Sequence, residues 1–382
     1  MRMSVIVSAL VAVLVGFGGS VAIVLAGADA LGATPGQKAT WVSVLCVSMA
    51  VTTGVLSLWH RLPILAAWST PGAALLAGVS GVGMEAAAGA FLLTAGLIVL
   101  TGLIPLLERL VARIPAEIAS AMLAGVLFAF VAAMVRAIPG AAALVLPLLA
   151  VFFALRVLSP VWAVLAVLAV GVALSFALGL AEPVWQGGLP PFERVTPRFE
   201  TGVLLSVALP LYLVTMASQN LPGFAALRAD GYRVPGRSIL LVTGVASGVS
   251  ALWGAHTTNL AAITAAICTG RDAHPDPGKR WLTGPVNALG YAVIALPAMG
   301  LVTLFASLPA ALIAVVAGTA LLGPFMGSLK SAMGGAYPAP AAITFVTTAS
   351  GLSLLGIGAA FWGLAAGLIM VGLERGVAAL RG

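Results

Sequence analysis

Charge is what this chain has least of. Asp, Glu, Lys and Arg make up 8% of its 382 residues, against 61% hydrophobic residues. With a mean hydropathy of +1.15, that balance excludes a soluble globular domain. Cysteine is almost missing: Cys46 and Cys268 stand far apart in apolar segments. Such placing excludes a disulfide framework or a metal-binding spacing and marks both as buried small apolar residues. The net charge of +7 comes from basic residues dispersed among loops, so a nucleic-acid partner, which needs a basic patch, is excluded. His256 has no acidic or cysteine residue clustered with it in sequence. An intramembrane enzyme, a metal site and a cofactor are therefore not expected.

What the chain does have is apolar runs of about 20 residues, the length that crosses a bilayer as a helix. Fourteen such segments lie near 4–27, 39–58, 62–80, 84–105, 115–136, 140–156, 160–180, 201–221, 238–253, 254–270, 282–303, 308–328, 338–354 and 356–373. The first imitates a signal peptide, but it is long and interrupted by Gly16, Gly18, Gly19 and Ser20, so a retained helix is expected. With both termini inside, only Lys38, Arg136, Arg194 and Arg198 fall outside, leaving 14 of the 18 basic residues on the cytoplasmic face. That bias is the positive-inside rule, and dropping one span would spoil it. The expected fold is an all-α polytopic membrane protein of fourteen segments, both termini cytoplasmic. Its two repeats of seven, 1–180 and 201–382, are inverted because seven is odd.

Weak internal similarity agrees. Ile114-Pro115-Ala116 opens the fifth segment as Leu308-Pro309-Ala310 opens the twelfth, and Trp68-Ser69-Thr70-Pro71-Gly72 matches in position the start of the tenth. Paired interrupted segments of this kind point to a secondary transporter with its site where they cross. In the tenth, Gly254-Ala255-His256-Thr257-Thr258-Asn259 sets four polar side chains in a row between apolar runs. Lipid cannot satisfy such groups, so they should line a cavity. Segments 3 and 10 are expected to be broken: a short extended stretch, then a half-helix starting at Thr70–Pro71 or at Thr258–Asn259. Their N-terminal N–H groups and dipoles would face an anion such as a carboxylate.

The expected substrate-binding set is Ser20, Trp68, Ser69, Thr70, Gly72, Gln219, Asn220, His256, Thr257, Thr258 and Asn259. Phe17, Trp68, Tyr212 and Trp253 could wall a flat ring. The titratable candidates for proton coupling are His256, whose ordinary pKa suits such a task, and Glu85 early in the fourth segment. Glu117 beside Arg113 reads as a structural pair, Arg136 and Arg156 as span-end residues that snorkel, and His60 and His274 as solvated loop residues.

Three stretches are familiar: Ala217-Ser218-Gln219-Asn220-Leu221-Pro222-Gly223, the long run from Gly254 to Ala266, and Ala273-His274-Pro275-Asp276-Pro277. They resemble the bacterial benzoate membrane transport protein family over essentially the whole chain. The resemblance implies a benzoate–proton symporter of the inner membrane whose partners are benzoate, protons and lipid, with a homodimer allowed for. The family is distantly similar to the nucleobase–ascorbate transporters, whose fold implies a core (1–106 with 201–305) moving against a gate (107–180 with 306–382). Those carriers typically hold an acidic residue in span 8, where this chain has Gln219 and Asn220. The departure weighs against a nucleobase and for an anion. A carrier of a nucleobase or another small anion, or a passive anion channel, are the alternatives.

Overall fold

A backbone in hydrocarbon must satisfy its own N–H and C=O groups, and most of this chain does so as helix. The computed structural model describes residues 2–104, 114–158, 160–182, 184–261, 264–354 and 358–381. Arg109 and Arg113 of the charge count, Ala262 and Ile263 of the long motif, and the start of segment 356–373 lie outside them.

The first half holds α1 (Met3–Gly18), α2 (Val21–Ala30), α3 (Pro35–His60), β1 (Ala66–Trp68), α4 (Thr70–Ala77), α5 (Met84–Leu103), α6 (Ala116–Arg136), α7 (Ile138–Leu158) and α8 (Pro160–Ala177). The second half begins with a continuous helical rod, α9 (Thr201–Ala229). It continues as α10 (Gly236–Ala251), β2 (Thr258–Leu260), α11 (Ala265–Thr269), α12 (Thr283–Ala295), α13 (Ala298–Ser307), α14 (Ala310–Met333), α15 (Pro338–Ala349) and α16 (Ala359–Arg381). Among the described residues eight helices are long and apolar enough to cross a membrane, counting α1 with α2 as one. A ninth is added if α12 and α13, bent by 65° around Pro297, count as one span.

Local chemistry explains the boundaries. Thr34 and Gln37 close a reciprocal capping box ahead of α3, with Pro35 at its first position and Lys38 ion-paired to Asp29. The first segment breaks at Gly19–Ser20, where Ser20 folds its hydroxyl back onto the Gly16 carbonyl at 2.6 Å. Two stretches of α9, Leu204–Ala208 and Met216–Asn220, are wound as π-helix. Each stands just ahead of a proline, Pro210 or Pro222. A proline ring clashes with the carbonyl four residues back, here Ser206 and Ser218, and the wider turn relieves that clash.

Helix packing is strongest between α6 and α14, α5 and α10, α3 and α12, α15 and α16, and α6 and α15. Small residues allow the close approaches. The tenth segment departs from expectation. Thr258 and Asn259 do not cap a ten-residue half-helix; they lie in β2, and the described helix after them is only Ala265–Thr269. The β-branched Thr257–Thr258 pair and the left-handed Gly254 (φ 71°) favour an extended path there.

Candidate functional site

Two extended segments in the middle of a helical bundle must find partners for their backbone, and they find each other. β1 and β2 pair antiparallel with Ala66 opposite Leu260, Ala67 opposite Asn259 and Trp68 opposite Thr258. The ladder continues through Ala261 N–H to Leu65 O (2.9 Å) and Ser69 N–H to Thr257 O (3.2 Å). A two-stranded sheet still has two open edges, and side chains from neighbouring helices close them. Thr53 of α3 accepts from Ala66 N–H at 2.8 Å. Ser247 of α10 both accepts from Thr258 N–H (2.9 Å) and donates to Thr258 O (3.0 Å). Asn220 of α9 accepts from Leu260 N–H at 3.0 Å. Replacing Asn220 with Leu strands that buried N–H, so we expect a loss of about 1–3 kcal/mol, read as a lower unfolding temperature in detergent.

β1 leads directly into α4, capped one residue earlier than expected. Ser69 is the cap: its hydroxyl accepts from Gly72 N–H at 3.1 Å, with Thr70 and Pro71 following. Gly72 is required there, because a Cβ would sit 2.6 Å from Leu211 Cδ1 and 2.7 Å from Ser69 Oγ. The Thr70 N–H, first in the helix, has no intrahelical acceptor. Its hydroxyl has no partner among the described residues.

His256 sits behind this cap, 0% exposed. Trp41 Nε1–H donates to its Nδ1 at 3.0 Å, and its Nε2 meets Ser69 O at 3.1 Å. Indole N–H only donates, so Nδ1 must be the bare nitrogen and Nε2–H the donor to Ser69. The ring is a two-ended pin holding the cap of α4 to α3. Thr257 shares a hydroxyl contact with Thr215 (3.2 Å), and Thr258 one with Ser48 (2.7 Å). Asn259 donates to Leu260 O at 3.3 Å and leaves its own buried Oδ1 unpaired.

In front of this frame lies a cavity of about 990 Å³, at the upper end of the range of small-molecule sites. Of the expected set, Ser20, Trp68, Thr70 and Gln219 line it. Trp68 Nε1–H donates to Ser20 Oγ at 2.7 Å, and Phe17 packs on the indole with centroids 5.5 Å apart. Gln219 is 8% exposed, has no hydrogen-bond partner among the described residues, and faces the cavity.

Ser69, Gly72, Asn220, His256, Thr257, Thr258 and Asn259 are buried and do not line it. Glu85 is exposed in the first turn of α5, away from the cavity. Tyr212 is turned to Thr101 at 2.5 Å, and Trp253 lies under the Arg194 guanidinium in the 181–200 loop. His274 is not solvated: it is buried, and the buried Arg280 donates to its carbonyl at 2.7 Å. Glu117 accepts from Ala336 N–H at 2.8 Å, while Arg113 lies outside the described residues.

Three lining residues escape sequence reasoning. Tyr291 of α12 is 2% exposed, and its hydroxyl has no partner among the described residues. Phe152 and Arg156 of α7 also line the cavity.

Residues 1–373 match the family model of the benzoate membrane transport protein. The chain is 42% identical over 361 residues to the inner membrane protein YdcO of Escherichia coli, covering 93% of this chain and 92% of that one. It is 35% identical over 372 residues to the benzoate membrane transport protein of Acinetobacter baylyi, covering 96% and 94%. Among solved structures it is similar to the transmembrane domain of the cyanobacterial bicarbonate transporter BicA. There the TM-score is 0.59 at 14% identity, over 96% of this chain and 98% of that one. For SLC26A9 the TM-score is 0.66 at 13% identity, over 96% of this chain and 65% of that one. At such low identity the likeness shows a shared fold.

Proposed function

The chain belongs to the benzoate membrane transport protein family, and from that premise we propose that it imports benzoate with protons across the bacterial inner membrane by alternating access. The observation that carries this reading is the cavity. Its wall is mostly apolar, its polar pole consists of Thr70 at the start of α4 with Ser20, Trp68 and Gln219, and no Asp or Glu is among the described lining residues. Such a site suits a flat apolar ring carrying one anionic group: the α4 dipole, the Thr70 hydroxyl and the Gln219 amide meet the carboxylate, and no fixed negative charge repels it.

The fourteen-segment, twice-seven arrangement is part of the proposal. The eight long helices and the bent pair supply nine crossings, the shorter α8, α10 and α15 three more, and the strand-plus-helix units β1–α4 and β2–α11 the last two. In this scheme α1 to α5 with α9 to α13 form the core that carries the polar pole, and α6 to α8 with α14 to α16 form the gate. The inner-membrane name of the Escherichia coli relative supports the location, and the inside bias of basic residues supports cytoplasmic termini. His256 belongs to the frame in this reading. With His256 in the frame, Glu85 is the remaining titratable candidate for the transported proton.

Uptake of labelled benzoate into proteoliposomes with an imposed inward proton gradient tests the proposal. Accumulation above equilibrium is expected, and we expect Thr70→Val with Gln219→Leu to reduce it at least about tenfold, the scale of one lost hydrogen bond to a charged group. Benzoate flux that equilibrates regardless of the gradient would identify a channel. Full accumulation in the double variant would displace the site.

A further inference from the structure

Arg156 is the one charged residue among the described residues that line the cavity. It stands on α7, a helix of the proposed gate, whereas the polar pole is carried by Ser20, β1, α4 and α9 of the proposed core. The ion pairs among the described residues are Lys38–Asp29, Arg198–Glu200 and Lys279–Asp276, and none engages it. Its guanidinium instead lies 5.5 Å above the ring of the fully buried Phe152 and donates to the Met326 sulfur at 3.5 Å. An aromatic face and a thioether are weak partners for a cation, so most of its donor capacity is unspent. Ser328 and Ser331 of α14 and Ser120 of α6 line the same cavity; of these, Ser120 donates to Ser331 at 3.0 Å.

We propose that Arg156 is a second carboxylate subsite, carried by the gate wall. It captures or releases the aromatic acid on the gate side of the cavity. The inference rests on the reading of the protein as a benzoate carrier. A guanidinium over an aromatic ring is held in place, and a half-buried cation attracts an anion more strongly than a fully exposed one does. The ring of the ligand would lie along the apolar lining between the two poles while the carboxylate exchanges Thr70 for Arg156. Moving core against gate would then change the distance between two carboxylate sites, which gives the substrate a way off its tighter pole.

Binding to the purified protein in detergent tests this with two probes of one shape, benzoate and its neutral counterpart benzamide. Arg156→Gln is expected to weaken benzoate about tenfold, the worth of one charge-assisted hydrogen bond, and to flatten the salt dependence of benzoate binding. Benzamide affinity should stay unchanged, which also reports an intact fold. Arg156→Lys should keep the salt dependence with part of the affinity, since the point charge remains without the planar fork. Equal losses for benzoate and benzamide would make Arg156 a packing residue and overturn the subsite, as would unchanged benzoate binding in Arg156→Gln. A wild-type protein that binds no benzoate overturns the substrate reading and this inference together.

Discussion

Replacing His256 with Ala should be among the most destabilising single changes in the protein, while His256→Gln should be nearly silent. The alanine removes a fully buried ring and leaves the Trp41 N–H without a partner, while the Ser69 carbonyl keeps only the Ala73 N–H at 2.7 Å. Large-to-small substitution at such a site costs about 2–5 kcal/mol, and the stranded indole N–H adds roughly 1–3 kcal/mol. Glutamine offers an acceptor to Trp41 and a donor to Ser69, so it keeps the roles of both ring nitrogens while lacking a titratable group. Thermal unfolding in detergent reads the first effect. Proton-driven benzoate uptake by His256→Gln reads the second, and it should stay close to wild type per folded molecule. A glutamine variant that still moves benzoate but has lost its dependence on the proton gradient would return the proton to His256.

Gly16→Ala should abolish transport, and Tyr291→Phe in the same chain should restore much of it. A Cβ at position 16 would stand 2.5 Å from the Tyr291 hydroxyl but 3.8 Å from the ring carbon that bears it. The added methyl therefore collides with one oxygen atom and fits against the ring. Overpacking of a filled interior costs about 1–3 kcal/mol. Here it also pushes a lining residue into the cavity, one helical turn from Ser20. The double variant isolates that contact, because removing the oxygen relieves the collision. Unfolding temperature and benzoate binding measured on both single variants and the pair complete the cycle. If the double variant is as poor as Gly16→Ala alone, the methyl acts elsewhere, for instance on the α1–α2 break.

Much of the fold is legible from residues because hydrocarbon leaves a chain few choices. Apolar runs become helices, and a polar run such as His256 to Asn259 must be buried in protein. Pro71 after a Ser–Thr pair starts a half-helix, although the cap is Ser69 where Thr70 was the expected residue. The second half-helix was misplaced for a physical reason. Thr258 and Asn259 have the chemistry of helix caps, but capping competes with strand pairing. The open edge of β1 offered Thr258–Leu260 a ladder that local sequence cannot reveal. The π-helical turns of α9 follow from prolines visible in the sequence, yet their result, Gln219 turned into the cavity while its neighbour Asn220 turns to β2, depends on how the wider turn rotates two adjacent side chains.

The sequence by itself determined that this is a polytopic helical membrane protein whose rare polar residues gather at interrupted segments, and its motifs pointed to its family. Both follow from composition and local order along the chain. The tertiary structure alone decided which polar residues face the cavity and which hold it open. Hydroxyls and amides serve equally well as ligands for a substrate or as partners for stranded backbone groups, and only the neighbours packed against each one select between the two. His256, Thr257, Thr258 and Asn259 thus lie in the frame, Ser20, Trp68, Thr70 and Gln219 on the wall. Tyr291 and Arg156 lie on that wall because α12 and α7, remote in sequence, close around it.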